Sequence, residues 1–473
     1  MASPTRTRSS DFSLDARARA ELTRRLGRAI KRSRRSGRTL AALTVPVASD
    51  VDPSAVAFGS RRDGEPWFCF EQPDRGAFAL ATLGSVRTIE ARGTGRFGSV
   101  ARAWRSLAGA AVADDAGLVA VGGFAFAPDG GAAPHWAGFA PASLAVPEVA
   151  LARRDGRVTL TVAALAAADD TPEDLVARIE RRLAELSRAP LPLLDPAPVE
   201  RARIASTAPP EHYEAAVARA VERIRAGEFE KIVLAREVAV HAPAAHDAGA
   251  VFDILRQAFS SCYVFCAGYG DAAFVAASPE LLVRREGTRA SSVALAGSTR
   301  RSADPGVDAH LGEQLLRSDK DREEQAIVTR RITRKLHDHA VWVTAADEPE
   351  VVKVANIQHL ATPIRAQLAE PMSAIELAGL LHPTPAVGGE PHAVVAPLIP
   401  AFEGLDRGWY AGPVGWTDSA EDGEFCVALR CALLRGREAR LYAGVGVVRD
   451  SDPAAELAET EVKLGALLPV LAT

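Results

Sequence analysis

Four short apolar runs follow one another closely in the middle of the chain: Cys262-Tyr-Val-Phe-Cys-Ala-Gly268, Ala272-Ala-Phe-Val-Ala-Ala277, Leu281-Leu-Val-Arg-Arg285 and Ser291-Ser-Val-Ala-Leu-Ala296. Only Gly270-Asp271, Ser278-Pro279 and Glu286-Gly287 mark the breaks. Each run has strand length and each break is made of turn-forming residues, so the stretch predicts an antiparallel meander. Outward from it, residues 39–165 repeat the pattern in the runs 40–47, 118–126 and 158–162, interrupted by two helical segments. Residues 412–416, 425–434 and 441–448 read as central strands. The helices are few and separate, predicted over 211–226, 307–337, 374–381 and 453–468. Strands in hairpin-joined runs with single helices between them imply an α+β fold rather than a doubly wound one.

Between residues 186 and 210 stand Pro190, Pro192, Pro196, Pro198, Pro209 and Pro210, too many for a helix or a central strand. This stretch is the candidate linker between a strand-rich part, residues 1–200, and a catalytic region, residues 201–473. The segment after it puts Tyr213, Val217, Ala220, Val221 and Ile224 on one helical stripe.

Composition narrows the function. The 473 residues are 48% hydrophobic and 25% charged, with a net charge of −4. That is ordinary globular usage, and it excludes a disordered or nucleic-acid-coating chain. Five cysteines without a C-x-x-C argue against a disulfide framework or a zinc site, so a reducing, cytoplasmic location is expected. No apolar run reaches the ~18 to 20 residues of a membrane helix. The N-terminus is rich in arginine, including Arg24, Arg25, Arg28, Arg34 and Arg35. Leu22, Leu26 and Ile30 recur beside them, which predicts the solvated face of an amphipathic helix rather than a nucleic-acid patch.

Two acidic clusters have a periodicity that points inward. Val328, Ile332 and Leu336 define an apolar stripe that, extended backwards, lands on Glu324, with Asp321 one turn earlier. In the last helix Glu456, Glu459 and Lys463 share a face. Buried carboxylates must be protonated, paired or metal-bound, and an oxygen-only set suits Mg²⁺, which needs one or two carboxylates besides an anionic substrate. Arg430 falls inside an apolar run, and Tyr442-Ala-Gly444-Val-Gly446 lets backbone approach an anion. Lys231 opens an apolar strand, where loss of water favours the neutral amine that acts as a base. Glu280 follows Pro279 and precedes Leu281-Leu282, an apolar wall suited to a protonated acid. No Walker, G-x-S-x-G or dinucleotide fingerprint occurs.

Together with Phe229-Glu-Lys231-Ile-Val-Leu-Ala-Arg236, Ala277-Ser-Pro-Glu280, Ala296-Gly297-Ser298-Thr-Arg300, Lys320-Asp-Arg-Glu-Glu324, His359-Leu-Ala-Thr362, His382-Pro-Thr384-Pro-Ala386, Ala428-Leu-Arg430 and Glu456-x-x-Glu459-x-x-x-Lys463, these residues closely resemble, in order, the motifs of the chorismate-utilising enzymes. The resemblance implies two antiparallel sheets packed face to face, with helices outside, in a single large unit. It implies Mg²⁺ on Glu324 and Glu459, with Glu456 as an outer carboxylate. It places the substrate chorismate against Arg430, Tyr442, Gly444, Gly446, Lys463, Gly297, Ser298, His359, Thr384 and Ala386. Lys231 would activate water for attack at C2, and Glu280 would protonate the departing C4 hydroxyl, giving isochorismate. Lys231 separates the chain from anthranilate synthases, which resemble it but usually carry Gln there. Ala296 separates it from aminodeoxychorismate synthases, which typically carry Lys there. Ala386 stands where salicylate synthases tend to have Thr, while Tyr410 leans towards them. A salicylate synthase and a catalytically silent metabolite-binding subunit are the alternatives. No obligatory amidotransferase, nucleic-acid or membrane partner is expected. The product of that reaction is expected to feed menaquinone or siderophore biosynthesis.

Overall fold

The computed structural model describes residues 12–114, 117–194, 201–354 and 357–472. Among them lie two large sheets whose strand pairs are antiparallel. The first runs Thr39–Val47, Arg157–Ala166, Val149–Arg154, Phe78–Leu83, Trp67–Gln72, Tyr263–Tyr269, Ala272–Ser278, Cys431–Arg435, Glu438–Val447, Lys231–His241 and Gly389–Glu390, with Arg203–Ser206 also pairing to Lys231–His241. The second runs Ala340–Ala345, Ile357–Leu368, Arg289–Arg300, Leu281–Glu286, Gly423–Val427, Pro413–Asp418, Val119–Phe124, Ala142–Val146 and Arg87–Ala91.

Period-two alternation decides what each face buries. On Tyr263–Tyr269, the side chains of Tyr263, Phe265 and Ala267 join the core between the sheets, alongside Phe124, Val283 and Phe425 of the second sheet. Val264 and Cys266 point the other way, into a core capped by helices, with Leu22, Leu26, Leu183 and Phe252. The expected arrangement of facing sheets with helices outside is therefore the observed one. Each buried Phe contributes about 1.5–3 kcal/mol of transfer free energy. All five cysteines are free and buried, and no described helix is long and apolar enough to cross a membrane.

The four runs between Cys262 and Ala296 are strands, but not one meander. Tyr263–Tyr269 and Ala272–Ser278 form a hairpin in the first sheet. The chain then leaves that sheet at Pro279, and Leu281–Glu286 and Arg289–Arg300 form a hairpin in the second. The 425–434 run is likewise divided: Gly423–Val427 belongs to the second sheet and Cys431–Arg435 to the first. Apolar runs buried on both faces look continuous even where the strand changes sheet. The helix expected over 307–337 is two, Pro305–Arg317 and Asp319–His337, because Ser318 takes extended backbone and its side chain accepts from the Asp321 N–H as a cap. The last helix ends at Leu464, and a short turn of helix follows at Leu468–Leu471.

In the basic N-terminal helix, Ala16–Ser36, Leu22, Leu26 and Ile30 are buried and most arginines face outward. Arg25 is the exception: it turns inward, pairs with Glu21 and Asp114, and donates to the Ala42 carbonyl at 2.9 Å. Of the proline-rich stretch, Pro196 and Pro198 lie outside the described residues. Residues from both sides of it share both sheets, as in Val264 opposite Glu71 and Val414 opposite Gly123.

Candidate active site

The two strand crossings bring Glu280 and Arg430 together at the edge of the sandwich. Val427 N–H donates to the Glu280 carbonyl at 3.0 Å, and Ala277 N–H donates to the Arg430 carbonyl at 3.1 Å. Arg430 sits at φ +45°, a conformation a side chain rarely adopts. Such a backbone costs on the order of 1–3 kcal/mol and persists where the surroundings over-determine it. Behind the crossings lies a cavity lined by Glu280, Ala296, Gly297, Ser298, Glu324, His359, Ala386, Tyr410, Arg430, Tyr442, Gly444, Gly446, Glu459 and Lys463, among others.

Glu280 is 3% exposed. Burial pushes its carboxyl up to about 8, against the pull of the nearby Lys231 and Arg430 charges. It is therefore a neutral acid at pH 7. Lys231 is fully buried at the start of its strand, and its Nζ lies 2.8 Å from Glu324 Oε1 as an ion pair. Gly446, on the neighbouring strand, makes that approach possible: a Cβ there would run into Glu324 and Lys231. At Gly444 a Cβ would sit 2.8 Å from Tyr410 Oη.

His359 Nδ1 is 3.1 Å from the Gly297 carbonyl, and its Nε2 is 2.6 Å from Arg430 Nη2. Nδ1 must then donate and Nε2 accept, which fixes the neutral tautomer. Burial first, and the Arg430 charge second, hold its pKa well below the usual value. Gly297 takes φ +69° at a bulge between Ala296 and Ser298, which turns its carbonyl to His359. Tyr442 is stacked against Tyr410 and Trp136, with ring centroids 5.2 and 5.7 Å away. Arg430 Nε is buried without a hydrogen-bond partner, as polar atoms rarely are unless a ligand completes them.

On the acidic side, Ser298 Oγ donates to Glu459 Oε1 at 2.6 Å, and Lys463 Nζ pairs with the same oxygen at 2.9 Å while donating to the Gly444 carbonyl. Burial opposes the Glu459 charge, but Lys463 and Ser298 outweigh it and hold the carboxyl below its ordinary range. Glu456, 1% exposed, is 2.6 Å from Lys320 Nζ and does not reach the cavity. Thr384 is buried and also stays behind the cavity wall. Among the described residues no three potential metal-ligating side chains converge on one point. Glu324 and Glu459 both face the cavity, however, and each is balanced by a lysine. Two carboxylates with hydroxyl and carbonyl oxygen nearby fit a hard cation that keeps several waters.

Sequence reading missed the pair Glu403 and Arg407. Both are buried; Glu403 Oε1 accepts from the Ala235 N–H at 2.7 Å, and Arg407 donates to the carbonyls of Val233 and Val387. These bonds hold the Lys231 strand against the 384–388 loop. The signal available was an i,i+4 carboxylate and arginine, which on a helix usually marks a solvated face.

The sequence profile of a family described as chorismate binding enzyme matches residues 25–472. The salicylate biosynthesis isochorismate synthase of Pseudomonas aeruginosa is 38% identical over 427 residues, 89% of this chain and 88% of that one. Isochorismate synthase MenF of Bacillus subtilis is 34% identical over 355 residues, 75% of each chain. Among solved structures, MenF, the menaquinone-specific isochorismate synthase from Escherichia coli, superposes with a TM-score of 0.79 at 26% identity, covering 96% of this chain and all of that one.

Proposed function

The chain belongs to the chorismate-binding enzyme family, and from that premise we propose that it converts chorismate to isochorismate. The observation that carries the reading is Glu280: a carboxylic acid kept neutral at pH 7 by burial, on the wall of a cavity that Arg430 and Lys463 make attractive to carboxylates.

In this reading Arg430, held by His359, and Lys463 grip carboxylate groups of the substrate. The backbone at Gly444 and Gly446 comes close because no Cβ intervenes. For Lys231 to take a proton from the water that attacks C2, its amine must first give up the proton it holds in the ion pair with Glu324. Glu280 gives its proton to the C4 hydroxyl, which leaves as water as the double bond shifts, so one water enters and one departs. Glu324 and Glu459 would hold Mg²⁺, with Glu456 supporting from behind through Lys320. Bound there, the cation would supply positive charge for the ring carboxylate. Ala386 offers no hydroxyl on the cavity wall, which favours a reaction that stops after hydroxyl transfer, and Ala296 offers no amine, which leaves water as the nucleophile.

The test is product analysis of chorismate incubated with the protein and Mg²⁺. Because one allylic hydroxyl replaces another, the expected result is a mixture of chorismate and isochorismate reachable from either side. A lactate dehydrogenase couple should show no stoichiometric pyruvate. Pyruvate released together with fluorescent salicylate would replace this reading with salicylate synthesis.

A further inference from the structure

The Lys231–His241 strand is paired unevenly. On one side it runs beside Glu438–Val447 from Ile232 to His241. On the other, Gly389–Glu390 covers only Lys231 and Ile232, and Arg203–Ser206 covers only Val238 to His241. Among the described residues no strand covers the stretch between them. Its outward backbone groups are nevertheless bonded. Val233 N–H donates to the Gly388 carbonyl at 2.7 Å, and the Val233 carbonyl accepts from Arg407 Nη2 at 2.9 Å. Ala235 N–H donates to Glu403 Oε1 at 2.7 Å. Two side chains therefore stand in for part of a strand.

Neither Arg407 nor Glu403 lines the active-site cavity, yet Arg407 touches three residues that do: Val233, Val387 and Tyr410. Its Nη1 donates to the Val387 carbonyl at 2.8 Å while Nη2 holds Val233, and its guanidinium carbon lies 5.7 Å from the centroid of the Tyr410 ring. Glu403 fixes the plane of this fork, accepting from Arg407 Nε at 3.0 Å, and the Phe126 ring lies against the guanidinium at 4.3 Å. The two side chains are 3% and 1% exposed. Apolar residues of similar volume often stabilise a core as well as a buried ion pair does, so stability alone is a poor reason for this one. What an apolar pair cannot do is bond two carbonyls and an N–H in fixed directions.

We propose that Arg407, braced by Glu403, is a positioning residue for the reaction assigned above, and the inference rests on that reading of the site. It sets the separation between the strand that carries Lys231 and the loop that carries Ala386, and so the placement of the base against the bound ring. Lys231 stands two residues before Val233, so a shift of the Val233 carbonyl carries the amine with it. The groups assigned to grip the substrate are held elsewhere: Arg430 by His359, and Lys463 by Glu459 and the Gly444 carbonyl. Arg407 thus bears on the base more than on the grip.

The test is steady-state kinetics of the full chain with chorismate and Mg²⁺, together with thermal melting. Arg407→Lys keeps the charge that Glu403 needs, but an ammonium on a flexible stem cannot reproduce the planar fork. A misplacement of about 1 Å can cost 10²-fold, so kcat should fall at least about tenfold while KM stays within about twofold of wild type. The chain should still be folded at the assay temperature. Should Arg407→Lys not fold, Glu403→Leu combined with Arg407→Met removes both charges together, which a core tolerates better than losing one, and carries the same expectation. A kcat close to wild type, a rise in KM as large as the fall in kcat, or a loss that matches the unfolded fraction would overturn the proposal. A wild-type chain that makes no isochorismate overturns the reaction assigned above and this inference with it, whereas an active wild type with an equally active variant overturns this inference alone.

Discussion

Glu280 carries the most specific expectation about pH. Its carboxyl, pushed up to about 8 by burial, is protonated in the folded protein at neutral pH. A general acid must hold its proton, so on the alkaline side turnover should fall as the pH rises through about 8. A kcat profile that stays flat to pH 9.5, with chemistry rate-limiting, would contradict the assignment. Glu280→Gln keeps the shape and removes the proton. Since such acids typically contribute about 10²–10⁴ in rate, the variant should lose at least about a hundredfold in kcat while its thermal transition is preserved. His359 works at one remove. Its lone pair on Nε2 holds Arg430, so its loss should appear in KM for chorismate before it appears in kcat.

The elements matter by where they end. Ser318 interrupts what would otherwise be one long helix, and its hydroxyl caps the helix that carries Glu324. Asp321 lies in the first turn of that helix, 3.0 Å from where a Cβ on Gly297 would sit. A helix start displaced by one residue would rotate Glu324 off the cavity, since successive residues differ by about 100° around the axis. Ser318→Ala should cost about 0.5–2 kcal/mol of stability, read as a lower urea midpoint with unchanged slope. It should also lower turnover, while Ser318→Asp, which keeps a capping oxygen, should restore both. The strand ends act in the same way. Glu280 and Arg430 meet because two strands cross between sheets at adjacent points, tied by the Val427 and Ala277 N–H groups.

For the molecule as a whole, the core between the sheets and the candidate cation site are built from different residues. Phe124, Phe265, Phe274 and Phe425 sit in the sandwich at 0% exposure, whereas Glu324 and Glu459 project from helices at its edge. Removing divalent cations should therefore silence the enzyme without unfolding it. Treatment with EDTA is expected to abolish turnover, to leave the far-ultraviolet circular dichroism spectrum unchanged, and to be reversed by added Mg²⁺. Full activity after chelation would remove the cation from the mechanism.

Local patterns were readable in the chain wherever a single element carries the information. The stripe of Tyr213, Val217, Ala220 and Ile224 is the buried face of its helix, and the inward register of Glu324 follows from the four-residue spacing of Val328, Ile332 and Leu336. Ordered motifs from Lys231 to Lys463 were enough to identify the family, because the chemistry needs those side chains near fixed glycines and strand ends. What required the folded molecule is every relation between elements. The change of sheet at Pro279 and near Arg430 leaves no mark in hydropathy, since both sheets bury apolar side chains on both faces. The buried Glu403–Arg407 pair reads as surface until the Lys231 strand and the 384–388 loop are seen around it. Burial and partner identity depend on residues distant in sequence, and the protonated Glu280 and the neutral His359 exist only because those distant residues exclude water from them.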